Sequence, residues 1–460
     1  MDMGQIAVIL LLVAVALVSA AFPWIGVICG YLLSVLNPQT IWFWAFADLR
    51  PEFWILLPTG IGFLLGIAQG TVRLDGLWSR RNLCLAMLWL FSAISCYFGP
   101  YSHAGGPYRF EDAAYRFDEL NKIFVLYFIA CACIDDERRL KVLFYVLVGS
   151  GVYLTYWANL QYLTGQDFGR LGGPTSPQGG VYTDENSFAA LFVVAQPFLW
   201  FLGASFRFAW ARWACWLVIP FLWHAVFLTG SRGGLLGLAA TLLLTALRSK
   251  RRLLGLALIP AFLLVFAWQG GSVMQERADS IGGYQQSESA QERIESWHAA
   301  VGMILDHPLT GVGLASYGPA FPHYSNKQPR EAHDTLLQIA AESGIGAGAM
   351  YVLTVLGCLT ALWKNGNRLR RELVEDDDGF RLAANEATLV AFTGLVVCSL
   401  FLSLQQFEVF YYLAVMANVM IFLETRERIP QPARPAAATT LRMRAMSARG
   451  RFQRAREAMR

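Results

Sequence analysis

The polar stretch 270–332 lies between long apolar runs and closes on Ala332-His333-Asp334-Thr335. It holds His298, His307 and His323, with His333 at its exit, so four of the six histidines gather there. A neutral imidazole, with a pKa of about 6.5, can take a proton from a hydroxyl group at working pH. His333 stands where a polar loop re-enters an apolar helix that Asp334 or Thr335 can cap. The competing reading is a surface histidine hydrogen-bonded to a carbonyl. His307, beside Pro308, and His323, in Pro322-His323-Tyr324, read as structural: they are too widely spaced, and too short of carboxylates, for a zinc site.

Two arginines could supply the other half of a reaction, the binding of an anion. Arg232 lies in Thr229-Gly230-Ser231-Arg232-Gly233-Gly234, at the start of a helix. A helix N-terminus offers free N–H groups and partial positive charge, and Gly-Gly lets a bulky ligand approach. Snorkelling of Arg232 to lipid headgroups is the plainer alternative. Arg293 lies in Gln291-Glu292-Arg293-Ile294-Glu295-Ser296-Trp297-His298, where Ile294, Trp297, Val301, Ile304 and Leu305 recur at helical spacing. That pattern predicts an amphipathic helix at the membrane surface. A guanidinium pairs two phosphate oxygens at once; pairing of Arg293 with Glu292 or Glu295 is the competing reading. Arg170, in Gly169-Arg170-Leu171-Gly172-Gly173-Pro174, and Lys327 are lesser candidates for substrate contact, as are Trp297 and Asp334. Asp184 and Asn186 read as caps of the next helix.

The elements that must position these groups are membrane spans. Of 460 residues, 55% are hydrophobic and 15% charged, against about 25% charged in a soluble chain. Apolar runs fall at 6–20, 23–36 (with an extension toward 47), 53–69, 83–98, 122–133, 141–163, 187–206, 210–228, 233–247, 253–268, 345–363, 387–404 and 407–423. Several are short or nearly fused, which predicts an all-α polytopic membrane protein of about 12 spans. The first run lacks a basic flank and leads straight into more apolar helix, so it reads as a span and not a removable signal. Basic clusters recur at every second loop: Arg73, Arg80 and Arg81; Arg138, Arg139 and Lys141; Arg207 and Arg212; Arg248 to Arg252; Lys364 to Arg371; and the tail from Arg426. By the positive-inside rule these face the cytoplasm with the C-terminus, and the polar stretch faces outward. The side of the N-terminus stays open. The organisation expected is 1–268 transmembrane helices, 269–343 a large outward loop, 344–424 C-terminal transmembrane helices and 425–460 a basic tail. Arginine and proline in that tail point to anionic lipid headgroups, and to no nucleic acid partner. The eight cysteines all lie in or beside apolar runs.

Taken in order, Ser231-Arg232-Gly233-Gly234, Arg293 with Trp297, Pro308-Leu309-Thr310-Gly311-Val312-Gly313, and Ala332-His333-Asp334 followed by Leu336 and Glu342-Ser343-Gly344 resemble the O-antigen ligase family. Its superfamily also holds O-antigen polymerases and protein O-oligosaccharyltransferases. The resemblance implies a GT-C-like glycosyltransferase of the bacterial inner membrane, working at its periplasmic face without nucleotide sugar, metal or cofactor. It implies an undecaprenyl-diphosphate-linked glycan as donor and a lipid A–core sugar as acceptor. Arg232 and Arg293 would match the diphosphate-binding arginines, and His333 the catalytic histidine. Asp334 departs from the family, which often has asparagine there. The segment Asn37-Pro38-Gln39-Thr40-Ile41-Trp42-Phe43-Trp44 resembles protein O-glycosylation ligases, which keeps a protein acceptor open.

The implied reaction is a single inverting displacement, with His333 as base and the arginines stabilising the leaving diphosphate. No carboxylate pair at glycosidase spacing stands out to form a covalent intermediate. A polymerase is the nearest alternative and a transporter or flippase the non-enzymatic one. A transporter would show internal repeats and charges at the bilayer midplane; here no repeat is evident and the charges sit at the edges.

Overall fold

The structure, a computed structural model, describes residues 3–46, 49–104, 112–166, 169–176, 181–269, 288–372 and 379–428. Residues 270–287 of the polar stretch and 429–460 of the basic tail lie outside that set. The chain divides into a main unit, Met1–Ile421, and a second, Phe422–Arg460, of which the described residues form the end of a helix.

The described residues form helices joined by turns and loops. In chain order they are α1 (Met3–Ala21), α2 (Pro23–Leu36), the one-turn α3 (Pro38–Ile41) and α4 (Phe43–Phe46), α5 (Pro51–Ala68), α6 (Arg80–Phe98), α7 (Ala113–Cys133), α8 (Glu137–Leu163), α9 (Glu185–Ser205), α10 (Ala209–Thr229), α11 (Arg232–Arg248), α12 (Arg252–Gln269), α13 (Glu288–Asp306), the one-turn α14 (Tyr317–Ala320), α15 (Thr335–Glu372), α16 (Phe380–Ser399) and α17 (Glu408–Arg428). Among the described residues ten of these are long and apolar enough to cross a membrane. The remaining three apolar runs read from the sequence become α2, which has only 14 residues, α11, which has 17, and α7, whose first half is charged. The chain is therefore an all-helical, multi-pass membrane protein.

Helix α9 runs through the middle of the main unit, buried continuously from Phe188 to Gly203. It packs against α10 and α16, and α16 in turn packs on α11 and α15. Gly237 on α11 and Gly394 on α16 allow that approach: a methyl group on Gly394 would lie 2.3 Å from Thr241 Cγ2, as expected where helices pack without a hydrophobic drive between them. Helices α1 and α12 have the opposite character. Leu10, Leu17, Leu263 and Leu264 are all more than half exposed, as suits lipid-facing walls.

A buried ionic cluster ties the basic ends of α11, α15 and α16 together. Arg248 donates from Nε and Nη2 to the two carboxylate oxygens of Glu386, at 2.6 and 2.7 Å, and from Nη1 to Asn367 at 2.9 Å. Arg370 adds a second guanidinium to Glu386 at 3.2 Å, and the Trp363 ring covers Arg248 at 4.4 Å. A bidentate fork, with a further donor on Asn367, is the kind of arrangement that makes buried charge tolerable.

The return from the polar stretch into the membrane starts where the caps predict but carries an unforeseen break. Helix begins at Thr335, ahead of the apolar run 345–363, and breaks at Gly344, whose φ of +87° is non-helical. Residues 308–313 cause the break by docking backbone to backbone. The Ile345 N–H reaches the Pro308 carbonyl at 2.9 Å, while Val312 and Gly313 donate to Ala341 and Glu342 at 2.8 and 3.1 Å. A Cβ on Gly344 would sit 2.4 Å from the Leu309 carbonyl oxygen, so only glycine fits.

Helix α13 is amphipathic in two directions. Ala299, Ala300 and Met303 enter a small core with Val312, Tyr317, Phe321, Ala332 and Ala341. Ile294, Val301 and Leu305 remain exposed on another face, available to the membrane surface that the sequence suggests.

Candidate active site

His333 occupies the turn just before α15, with a positive φ of +50°. A non-glycine residue is seldom held there unless its surroundings dictate it, and here they do. The Trp297 indole N–H donates to the Ala332 carbonyl at 3.0 Å, and Ser296 Oγ to the Glu331 carbonyl at 2.8 Å. The Ala332 N–H is taken by Gln338 Oε1 at 2.9 Å. On the other side, Asp334 Oδ1 accepts the Leu337 N–H at 2.9 Å and caps the helix. Thr335 Oγ1 donates to the Leu402 carbonyl at 2.6 Å and accepts the Leu404 N–H at 2.9 Å. The imidazole thus projects from a backbone pinned on both flanks.

Burial pushes the His333 pKa below its ordinary value. The Glu331 carboxylate opposes this, the Arg293 guanidinium reinforces it, and Asp184 and Arg330 act more weakly in opposite senses. A base with a depressed pKa is neutral and competent at neutral pH. Burial raises the Asp334 carboxyl, against the N–H groups of Leu337 and Leu336 that favour its charge.

Arg293 comes within electrostatic reach of His333 from α13. Arg232 is the first residue of α11, after Ser231, whose Oγ accepts the Gly234 N–H at 3.1 Å. Its neighbour Gly233 abuts Phe401, and the next residue, Leu402, is the one hydrogen-bonded to Thr335. A second route joins the same two places. Arg170 donates to the Thr229 carbonyl at 3.0 Å and to Asn186 at 3.1 Å, Asn186 donates to Asp184 at 3.0 Å, and Asp184 acts on His333. The α11 mouth and the His333 turn are therefore neighbours, with Arg170 occupied in holding the loop between them.

The other sequence candidates lie as follows. Trp297 anchors the His333 backbone and Asp334 serves as a cap. Lys327 is exposed, its backbone N–H closing a turn on Ser325 Oγ at 3.1 Å. His307 and His323 both pack on the Tyr101 ring, at centroid distances of 6.3 and 5.2 Å. His298 is exposed.

Beside the His333 turn lies a cavity of about 580 Å³. Arg330 and Glu331 form part of its wall; His333, Arg232 and Arg293 lie outside it. Its floor holds Gln338 and Glu342, both almost fully buried. Gln338 Nε2 donates to Glu342 Oε1 at 2.6 Å, and Glu342 Oε2 accepts the Ala315 N–H at 3.2 Å. Arg116 is also in the wall, where it exchanges hydrogen bonds with Gln406. Sequence reasoning did not single out Gln338 and Arg116 as functional. A signal for the first existed: Gln338 and Glu342 form a polar pair at i, i+4 on an otherwise apolar helix, a spacing that shares one face.

No curated protein matches the chain. Residues 217–352 match the family model described as O-antigen ligase, a segment reaching from α10 to the middle of α15. That segment carries Arg232, Arg293 and His333 in order, and over it the chain is similar to the O-antigen ligase family.

Proposed function

We propose that the chain transfers a glycan from undecaprenyl diphosphate to a hydroxyl acceptor at the periplasmic face of the bacterial inner membrane. His333 takes the proton of the acceptor hydroxyl. The freed oxygen attacks the anomeric carbon, and the carbon–oxygen bond to the diphosphate breaks with inversion. The diphosphate leaves with the electron pair, its charge met by Arg232 and Arg293. The acceptor in this reading is a sugar of lipid A–core, and the basic tail stays cytoplasmic. The observation that carries the proposal is the His333 turn: a left-handed residue pinned on both flanks, its pKa lowered, with Arg293 in reach. Such preorganisation is what a positioned base requires.

The test is transfer by purified protein from lipid-linked glycan to complete-core lipopolysaccharide, with deep-rough lipopolysaccharide as control. His333→Ala, Arg232→Ala and Arg293→Ala are expected to insert in the membrane and lose transfer. Donor consumption at the normal rate in all three would end the assignment of His333, Arg232 and Arg293 to the chemistry. Product lengthened on the lipid carrier would make the chain a polymerase, and product on neither core would remove the lipid A–core acceptor.

A further inference from the structure

The segment Asn37–Thr40, which the transfer reading leaves without a part, borders the cavity beside the His333 turn. Asn37 is 2% exposed and held at a φ of +54°. Its backbone carbonyl is well used, accepting from Thr40 Oγ1 at 2.8 Å and from the Thr40 N–H at 3.1 Å. Its side-chain Oδ1, by contrast, is buried without a partner among the described residues. The same holds for Gln39 Oε1, and across the 405–408 segment for Gln405 Nε2 and Glu408 Oε2. All four residues line this one cavity. Buried polar atoms are nearly always paired in a folded protein, so four orphans around a single volume point to a ligand that pairs them.

Three of those atoms are acceptors, so the ligand must donate. Hydroxyl and amine groups do; a phosphate monoester offers three anionic acceptors and little to give. Charge argues the same way. Five carboxylates line the cavity, from Glu52, Glu119, Glu331, Glu342 and Glu408, against the guanidiniums of Arg116 and Arg330. Arg330 is already paired with Glu292 at 2.7 Å, and Lys122, behind the wall, offsets Glu119 at 2.7 Å. The volume lies within the range of small-molecule sites, roughly 300–1,000 Å³.

We infer that this cavity is a saccharide subsite that takes a neutral or amine-bearing sugar unit and rejects a phosphorylated one, with Asn37 Oδ1 accepting from a sugar hydroxyl or amine and Gln405 Nε2 donating to a sugar oxygen. The inference rests on the transfer reading for why a sugar should be there: Glu331 is in the cavity wall and His333 follows two residues later. It assigns the hydroxyl-rich part of one substrate to the cavity, leaving the diphosphate to the arginines outside it.

The experiment is saturation-transfer NMR on the full chain in lipid nanodiscs, with methyl β-glucoside, glucosamine and glucose 6-phosphate. The first two are expected to give signal and the phosphate none. Asn37→Ala and Gln405→Ala should each weaken the signal about fivefold, the loss of one hydrogen bond. The two variants guard each other, since alanine at a positive φ could itself disturb the fold whereas Gln405 carries no such strain. His333→Ala should keep sugar binding while losing transfer, so transfer that survives that change defeats the catalytic reading and leaves the subsite standing. Kinetics then place the sugar: a KM raised by Gln405→Ala for the acceptor alone, or for the lipid-linked donor alone, assigns it to that substrate. Equal binding of glucose 6-phosphate, silence from all three sugars, or full signal in Gln405→Ala would overturn the inference.

Discussion

Trp297 and Ala332 are joined by one hydrogen bond, 3.0 Å from the indole nitrogen to the carbonyl oxygen, and it fixes the residue before His333 to a separate helix. The amphipathic helix α13 thereby sets the position of the candidate base, besides bringing Arg293 toward it.

Replacing Trp297 by Phe keeps most of the ring and deletes the donor. Its net cost in stability should be only about 1 kcal/mol. A base displaced by a fraction of an ångström loses much more, so kcat should fall roughly tenfold with little change in melting temperature. Side-by-side turnover and thermal unfolding of the variant decide this; equal fractional losses in both would mean Trp297 is only packing.

The pH dependence follows from the lowered pKa of His333. The base acts when neutral, so kcat/KM should be flat above the ordinary imidazole value of about 6.5 and fall only at more acidic pH. Stability carries the same sign: a depressed folded-state pKa contributes nothing adverse above about 6.5, and stability is lost as pH falls through the folded value. A pH–rate profile in detergent or nanodiscs, with His333→Ala as blank, measures the limb. A limb above 6.5 contradicts the assignment.

Arg293 should reveal itself twice in one profile. Arg293→Ala removes a positive charge that pushes His333 down, so the acidic limb should shift toward higher pH. Loss of a charge-assisted contact to the donor should also raise the donor KM by about tenfold or more. Arg293→Lys keeps the charge without the fork, and should restore the limb while recovering only part of the affinity. Measuring both parameters for both variants separates the two effects.

The Arg248–Glu386 cluster concerns stability and not chemistry. Glu386→Ala or Arg248→Ala strands the partner in a buried setting, which typically costs about 3–5 kcal/mol. Either variant should melt well below the wild type in detergent, and the double variant should be less harmed than the two single losses combined. A thermal-unfolding cycle tests this directly.

Much of the architecture was open to a reader of the sequence because hydropathy reports on spans one at a time. Runs 187–206 and 387–404 mark two central helices, α9 and α16, although nothing local says that these two are interior while α1 faces lipid. His333 and the arginines could be picked out as polar groups bordering apolar runs. What pins His333 could not: Ser296, Trp297, Gln338 and Leu402 are brought together by the tertiary fold, and three of them lie more than 30 residues from their partners. The cavity is harder still. Asn37, Gln405 and Gln406 are amides in short loops without periodicity, and an amide next to a proline looks like any turn. The glycines of 308–313 announced a turn, but not that it would wedge open a helix.

That wedge has a mechanical result. With helical geometry interrupted at Gly344, the nine residues Thr335–Ser343 form a short cap tied to 308–313 and to 402–404, while the long rod beyond it is tied to the same loop through Ile345. Transmembrane rods re-tilt when the surrounding bilayer thickens or thins. The backbone break at Gly344 is where such re-tilting would be absorbed before it reached the imidazole.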